Sequence, residues 1–171
     1  MTAKLITFPQ DLGFHKSHRF DRASANISYL VIVGDINVEK SKVLANKYFG
    51  EGATSWKEMI FQITWESQIA FAYDKELNRT RTFNYSGEGW GLATWGDTLV
   101  MSDGSENIYL LNPKDFSQID RLQIYDQTDK FSFLNELEVI GNDLYANVYT
   151  TASDEIIIID LLTGRVKGVI D

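Results

Sequence analysis

The chain has 171 residues, of which 44% are hydrophobic and 13% aromatic, so it is long enough and apolar enough to fold around a core. Its net charge of -8 argues against nucleic acid or an anionic membrane surface as a partner, because both require a basic surface. The absence of cysteine excludes disulfides, thiolate metal sites and a cysteine nucleophile.

The N-terminal segment "MTAKLITFPQDLGF" has no apolar region of the length that a signal peptide needs. No apolar run in the chain approaches the roughly 20 residues of a membrane-spanning helix. The sequence as written therefore predicts a cytoplasmic protein that does not associate with membranes.

The first predicted strands lie in the N-terminal part of the chain. The segment "FPQDLGF" (8–14) would open a unit, and its last two strands would be "YLVIVGD" (29–35) and "KVLANKY" (42–48), joined by a turn at "INVEKS" (36–41). His15 and His18 lie in the polar segment between them. Without cysteine or a third histidine nearby, this pair does not favour a metal site.

Three further units follow, and each begins in a small, glycine-rich or polar segment that leads through a polar turn into strands. The units begin about 40 residues apart, at Glu51, Trp90 and Asn135. The predicted turns are at 57–58, 96–97 and 141–143. The predicted strands are 59–65, 69–74 and 80–85, then 98–104, 108–113 and 118–125, then 143–149, 155–161 and 166–171. No segment keeps helical spacing over three turns, and β-branched and aromatic residues fill the runs.

Repeated all-strand units of about 40 residues are typical of β-propeller blades. The sequence therefore predicts an all-β fold, a β-propeller with about four visible blades that forms one domain over residues 1–171. A β-sandwich whose hairpins resemble one another by chance is the alternative. A sandwich would have no reason to repeat one motif at one phase.

The blades of a propeller surround a central channel, so equivalent positions of successive blades lie close to one another. Gln10, Glu51, Trp90 and Asn135 occupy equivalent positions, and we expect their side chains to share one pocket. Glycines flank both Glu51 and Trp90, and glycine allows a second backbone or a ligand to approach closely. An ordinary tight turn with an outward side chain is the alternative for either triplet alone.

Four separated motifs, in order, resemble the plant and bacterial glutaminyl-peptide cyclotransferases, which are unrelated to the zinc-dependent animal enzymes of the same activity. The motifs are "KYFGEG" with "ITW", "GEGWGL" with "MSDG", "LNELE", and "ANVY". The resemblance runs from about Tyr29 to Asp171 and, more weakly, over "FPQDL" (8–12). It implies a five-bladed propeller, often secreted or periplasmic, that converts N-terminal glutamine to pyroglutamate and releases ammonia. It also implies that no metal and no cofactor are used.

The resemblance implies roles for individual residues. Glu51 matches the family's acid/base glutamate, and Tyr149 stands where the family usually has tryptophan. The other residues that match the lining of the family's pocket are Phe8, Gln10, Phe49, Trp65, Trp90, Asn135 and Glu136. Glu136 and Glu138 could instead belong to a solvated turn.

The implied chemistry explains why a carboxyl would stand among aromatic residues. Enclosure by Phe49 and tryptophan side chains is expected to raise the pKa of Glu51 toward neutrality. One such carboxyl could take a proton from the attacking amine and deliver one to the leaving ammonia. The aromatic residues would exclude water, whose attack would produce glutamate.

The family has five blades and only four can be counted, so we expect the fifth blade to be missing at the C-terminus. An open ring would expose strand edges, through which the chain could self-associate. Two functions therefore remain open. One is a cyclotransferase that acts on peptides or proteins with N-terminal glutamine. The other is a non-catalytic, propeller-like peptide-binding module derived from the same family.

Overall fold

The structure is a computed structural model that describes the backbone of residues 4–9, 28–34, 37–127, 130–149 and 155–170, with side chains from residue 40 onward. Every regular element in these ranges is a β-strand, which confirms the all-β prediction. Within the same ranges, nothing helical has the length and apolarity that crossing a bilayer requires.

Among the described residues, the first sheet has three antiparallel strands in chain order. They are β1 (Lys4–Pro9), β2 (Ser28–Gly34) and β3 (Asn37–Val43). The turn predicted at 36–41 is wrong for most of its length, because β3 begins at Asn37 and pairs with β2 from there onward. The strand predicted at 42–48 is wrong after Val43, where β3 ends. The polar composition of this segment is typical of a turn. An edge strand tolerates the same composition, since polar and charged residues discourage further strand pairing.

The next three sheets each have four antiparallel strands in chain order. The second sheet contains β4 (Gly50–Trp56), β5 (Met59–Thr64), β6 (Ile69–Tyr73) and β7 (Arg79–Asn84). The third contains β8 (Leu92–Trp95), β9 (Thr98–Ser102), β10 (Asn107–Leu111) and β11 (Gln118–Gln123). The fourth contains β12 (Leu134–Ile140), β13 (Asp143–Val148), β14 (Ile156–Asp160) and β15 (Val166–Ile170). The predicted turns join the first two strands of each sheet, as expected.

The sheets pack face to face, and the apolar faces of neighbouring sheets form the core. Between the third and fourth sheets, buried aliphatic side chains such as Val100 and Leu144 meet. Between the second and third sheets, the rings of Phe61, Phe83 and Phe116 stack with centroids 5.6 to 6.5 Å apart. Both faces of the middle strands are therefore covered, and in β5 residues 60–64 are all buried, including the polar Gln62 and Thr64.

The first strands of the four-stranded sheets, β4, β8 and β12, are called the inner strands because they contact one another. β4 contacts β8, and β8 contacts β12, although the three strands are far apart in the sequence. The sheets thus follow one another around the inner strands in a propeller-like arrangement. The number of blades stays a prediction.

Gly52 lies where β4 comes closest to the chain that leads into β8. A Cβ atom at this position would lie 2.4 Å from the backbone nitrogen of Leu92 and 2.6 Å from the carbonyl carbon of Gly91. Backbone atoms cannot rotate away as the end of a side chain can. Glycine is therefore required here by the packing of two inner strands against each other.

We predict that Gly52→Ala lowers the free energy of unfolding by about 1–3 kcal/mol, the usual cost of forcing atoms into a packed interior. The matched control is Gly168→Ala in β15, where a Cβ atom would meet only Ile158 Cδ1 at an ordinary 3.7 Å. Urea unfolding at equilibrium measures both changes. A Gly52→Ala protein as stable as the Gly168→Ala protein would contradict the packing argument.

Candidate active site

Two inner strands begin with a β-bulge at the same phase of the repeat. The pairing of β4 with β5 shifts after Gly50, and the pairing of β12 with β13 shifts after Leu134. A bulge adds one residue to one strand and re-aims the side chains beside it, and bulges are frequent next to active sites. Glu51 lies in the first bulge and Asn135 in the second, so these residues hold equivalent positions.

A chain of hydrogen bonds joins the starts of the three inner strands. The Gly52 N–H donates to the Trp90 carbonyl at 2.8 Å. The buried Ser102 hydroxyl accepts from the Gly91 N–H at 2.7 Å and donates to the Asn135 carbonyl at 2.8 Å. Three of the four positions predicted to converge, Glu51, Trp90 and Asn135, are therefore held side by side at one end of the inner strands.

Glu51 places a carboxyl at the point where the starts of the three inner strands meet, which is called the convergence below. The side chain is half-buried, and its neighbours Gly50 and Gly52 are buried. Burial raises the pKa of Glu51 to about 8, and the negative charge of Glu136 adds to the shift. A carboxyl with this pKa can both release and recover a proton near neutral pH.

Glu136 is a second carboxyl close enough to influence the first. Loss of hydration around its carboxyl raises the pKa of Glu136 to about 7. A hydrogen bond from the Leu137 backbone opposes this shift, and the charge of Glu138 adds to it. Glu136 is nevertheless exposed, so water at the mouth of the site weakens this effect more than it does at Glu51. The negative charge of ionised Glu136 makes Glu51 harder to ionise.

One carboxylate oxygen connects the two indoles of the site. The Nε1–H groups of Trp65 and Trp90 both donate to Glu88 Oε2, at 2.7 and 2.9 Å respectively. Trp65 follows β5 in the second sheet, whereas Trp90 precedes β8 in the third. The shared oxygen therefore holds together aromatic side chains from two different sheets.

Two further aromatic rings lie against these indoles, one on each side, and the four rings together are called the aromatic wall. Phe49 meets Trp65 edge to face with centroids 5.9 Å apart, and Tyr149 meets Trp90 in the same way at 6.1 Å. Gly104 lies against Trp90 and has a φ of 79°, and a Cβ atom there would be 2.6 Å from the indole ring. The wall thus contains Phe49, Trp65, Trp90 and Tyr149, with Glu51 at the convergence beside it.

Three residues of this arrangement are absent from the site predicted from the sequence, namely Tyr85, Glu88 and Ser102. Glu88 and Ser102 lie inside the motifs "GEGWGL" and "MSDG", and their membership of these motifs was the available signal. Tyr85 donates its hydroxyl proton to the Thr64 carbonyl. Burial raises the pKa of Tyr85 to about 12, and the charge of nearby Glu51 contributes to the shift.

For some of the predicted site residues, the structure describes only the backbone or does not include the residue among those it describes. The backbone of Phe8 lies in β1 opposite Tyr29, and Gln10 lies outside the described residues. His15 and His18 also lie outside them. Among the residues that the structure describes, no group of three or more His, Cys, Asp or Glu side chains could hold a metal ion.

A groove of about 480 Å³ lies elsewhere, lined by Lys42, Tyr48, Phe71, Tyr73 and Arg79 among others. Its two cations are already engaged with the protein. The Lys42 ammonium donates to the Leu77 carbonyl at 2.7 Å, and the Arg79 guanidinium lies over a ring. None of the predicted site residues lines this groove, and no carboxyl is among its lining residues. It is therefore a poor place for acid/base chemistry.

The raised pKa of Glu51 predicts how stability depends on pH. A carboxyl whose pKa rises on folding binds its proton more tightly in the native state than in the unfolded chain. Its contribution to stability is complete below its ordinary pKa of 4.5 and is lost as the pH rises through about 8. The free energy of unfolding should therefore fall less between about pH 5 and pH 9 in Glu51→Gln than in the wild type.

Urea titrations of both proteins across that range measure the difference. The comparison cancels the contribution of Glu136 to first order, because that carboxyl is present in both proteins. Parallel pH profiles for the two proteins would contradict a raised pKa at Glu51.

Comparisons with known proteins bear on this site. A family model described as glutamine cyclotransferase matches residues 10–171. A glutaminyl-peptide cyclotransferase of Arabidopsis thaliana is 37% identical over 114 residues, which are 66% of this chain and 36% of that protein. The chain thus matches about a third of the length of this curated relative.

Two solved structures are similar to this one. The crystal structure of Myxococcus xanthus glutaminyl cyclase matches with a TM-score of 0.77 and 31% identity, over 87% of this chain and 67% of that chain. Kuenenia stuttgartiensis hydrazine synthase matches with a TM-score of 0.58 and 14% identity, over 84% of this chain and 42% of that chain. The second likeness concerns the fold alone.

Proposed function

Because this chain belongs to the glutamine cyclotransferase family, we propose that it converts the N-terminal glutamine of peptides or proteins to pyroglutamate and releases ammonia. The observation that carries the proposal is Glu51, a half-buried carboxyl with a pKa of about 8. It stands at the point where the inner strands converge, beside a wall of aromatic rings. Its proposed role is that of general acid and base.

The reaction is an acyl transfer within the substrate. The α-amine attacks the side-chain amide carbon, and the new C–N bond closes the five-membered ring. The tetrahedral adduct then breaks its bond to the original amide nitrogen, which leaves as ammonia. Because attacking and attacked groups belong to one residue, orientation of the substrate supplies much of the rate enhancement.

The proton balance requires one group that can act in both directions. The α-nitrogen loses a proton as the ring closes, and the leaving nitrogen gains one. Glu51 can accept the first proton as a carboxylate and return it as a carboxylic acid, so it ends the cycle as it began. An N-terminal amine has a pKa of about 7.7–8.0. A carboxyl with a pKa of about 8 is therefore well matched to exchange protons with it.

The remaining residues bind and shield the substrate in this proposal. Asn135 and Glu136 stand beside Glu51 in the hydrogen-bonded convergence and would orient the amide and the amine. Trp65, Trp90 and Tyr149 would cover the reacting atoms and exclude water, whose attack would produce glutamate. The reaction as proposed uses only protein side chains and calls for no metal or cofactor. We further propose that the sheets are successive blades of a β-propeller.

We predict that Glu51→Gln lowers kcat for ammonia release from a glutamine-initiated peptide by about two orders of magnitude or more. Glutamine keeps the size and hydrogen-bonding capacity of the side chain but cannot exchange a proton. The measurement is the steady-state rate of ammonia release by wild type and variant. Full activity in Glu51→Gln would contradict the proposed mechanism.

Asn135→Ala is the matched comparison, because Asn135 holds the equivalent bulge position but carries no ionisable group. We expect this change mainly to raise KM, since an orienting residue contributes to binding. A peptide-binding module without catalysis makes a different prediction. It would bind the peptide and release no ammonia in either protein.

A further inference from the structure

Glu88 is half-buried, and its carboxylate is hydrogen-bonded to two side chains of the aromatic wall. A single oxygen, Oε2, accepts both indole N–H groups, at 2.7 Å from Trp65 and 2.9 Å from Trp90. Hydrogen bonds to an ionised acceptor are stronger and shorter than those between neutral groups. The pair of bonds therefore fixes two ring orientations relative to one point.

The position of Glu88 in the chain explains why it can reach both rings. It lies in the segment between β7 and β8, one residue before Gly89 and two before Trp90. The Gly89 N–H donates to the Trp65 carbonyl at 3.0 Å, which holds this segment against the end of β5. A Cβ atom on Gly89 would lie 2.3 Å from the Tyr85 hydroxyl. Glycine at this position allows the close approach that places Glu88 between the two indoles.

We propose that Glu88 is a positioning residue that sets the relative orientation of Trp65 and Trp90 around the N-terminal glutamine of the substrate. This inference rests on the proposed function of the site. Glu88 acts on the substrate through the two indoles, and Glu51 remains the residue that transfers protons.

The geometry has a chemical consequence for how the wall recognises its substrate. Both indole N–H donors are already bound to Glu88, so the wall presents ring faces and edges to the substrate and keeps its donors for the carboxylate. The indoles would then contribute apolar surface and exclusion of water. Hydrogen bonds to the substrate amide would come from other groups, such as the side chain of Asn135.

The chain contains a matched control for this interaction at the far ends of the inner strands. Trp56 is the last residue of β4, and its Nε1–H donates to Asp97 Oδ1 at 3.2 Å. This is also an indole–carboxylate hydrogen bond between the second and third sheets. It lies at the opposite end of β4 from Glu51, and Asp97 is exposed. Asp97→Asn therefore weakens the same kind of contact away from the site, as Glu88→Gln does within it, and it also removes the exposed ion pair of Asp97 with Lys57.

The test compares Glu88→Ala, Glu88→Gln and Asp97→Asn with the wild type, using kinetics, peptide binding and the near-ultraviolet circular dichroism of the free proteins. We expect Glu88→Ala to raise KM and the peptide Kd about tenfold or more, since a hydrogen bond to a charged group is lost at each indole. We expect kcat to fall less than KM rises. Glu88→Gln retains a neutral acceptor and should restore part of the affinity.

The near-ultraviolet spectrum reports on the indoles without any substrate. Glu88→Ala should change it, because two rings lose their common anchor, while Asp97→Asn should leave KM, Kd and kcat unchanged. Wild-type affinity in Glu88→Ala, or an unchanged spectrum, would overturn the assignment of Glu88. So would an equal loss of affinity in Asp97→Asn.

The outcomes also separate this proposal from the one on which it rests. If the wild type binds the glutamine-initiated peptide without releasing ammonia, the proposed function fails, and the Kd values still decide the role of Glu88. If the wild type neither binds the peptide nor releases ammonia, both proposals are overturned.

Discussion

The close approach of successive inner strands is the constraint on which the rest of the site depends. It occurs twice at the same phase of the repeat. A Cβ atom on Gly52 would lie 2.4 Å from the backbone of Leu92, and one on Gly91 would lie 2.1 Å from the Asn135 carbonyl oxygen. Only glycine leaves room for backbone to lie against backbone at these two points. The side chains next to them are thereby brought together from three sheets.

The electrostatic character of the site follows from this convergence. Glu51 and Glu136 belong to different sheets, and each would titrate as an ordinary glutamate on an isolated strand. In this region their carboxyls lose part of their hydration, so the pKa of Glu136 rises to about 7, and that of Glu51, raised further by the charge of Glu136, reaches about 8. The aromatic wall depends on the same approach, because Trp65 and Trp90 share Glu88 only where two sheets meet. A fold that repeats one unit thus produces a site in which each copy contributes a different group.

The repeat made most of the strands predictable, because apolar runs, polar turns and their phase are properties of the sequence. The turns predicted at 57–58, 96–97 and 141–143 show this most clearly, although Asp143 already belongs to β13. The prediction was wrong at 37–41, where a polar edge strand has the composition of a turn, and at 44–48, which follow the end of the strand that was predicted there. The placement of Glu51, Trp90 and Asn135 followed from phase alone. The contacts of Glu88 could not be predicted in this way, because its partners are the indoles of two sheets. No local pattern in the sequence indicates which acceptor an indole N–H will bind.

The central claim is that the site drives attack by the substrate's own amine and keeps water away from the amide. The most direct test is mass spectrometry of a glutamine-initiated peptide after incubation with the wild-type protein in water enriched in heavy oxygen. The account predicts a pyroglutamyl peptide that has lost ammonia and carries no heavy oxygen. An unchanged peptide, or a product with N-terminal glutamate that carries the label, would contradict it.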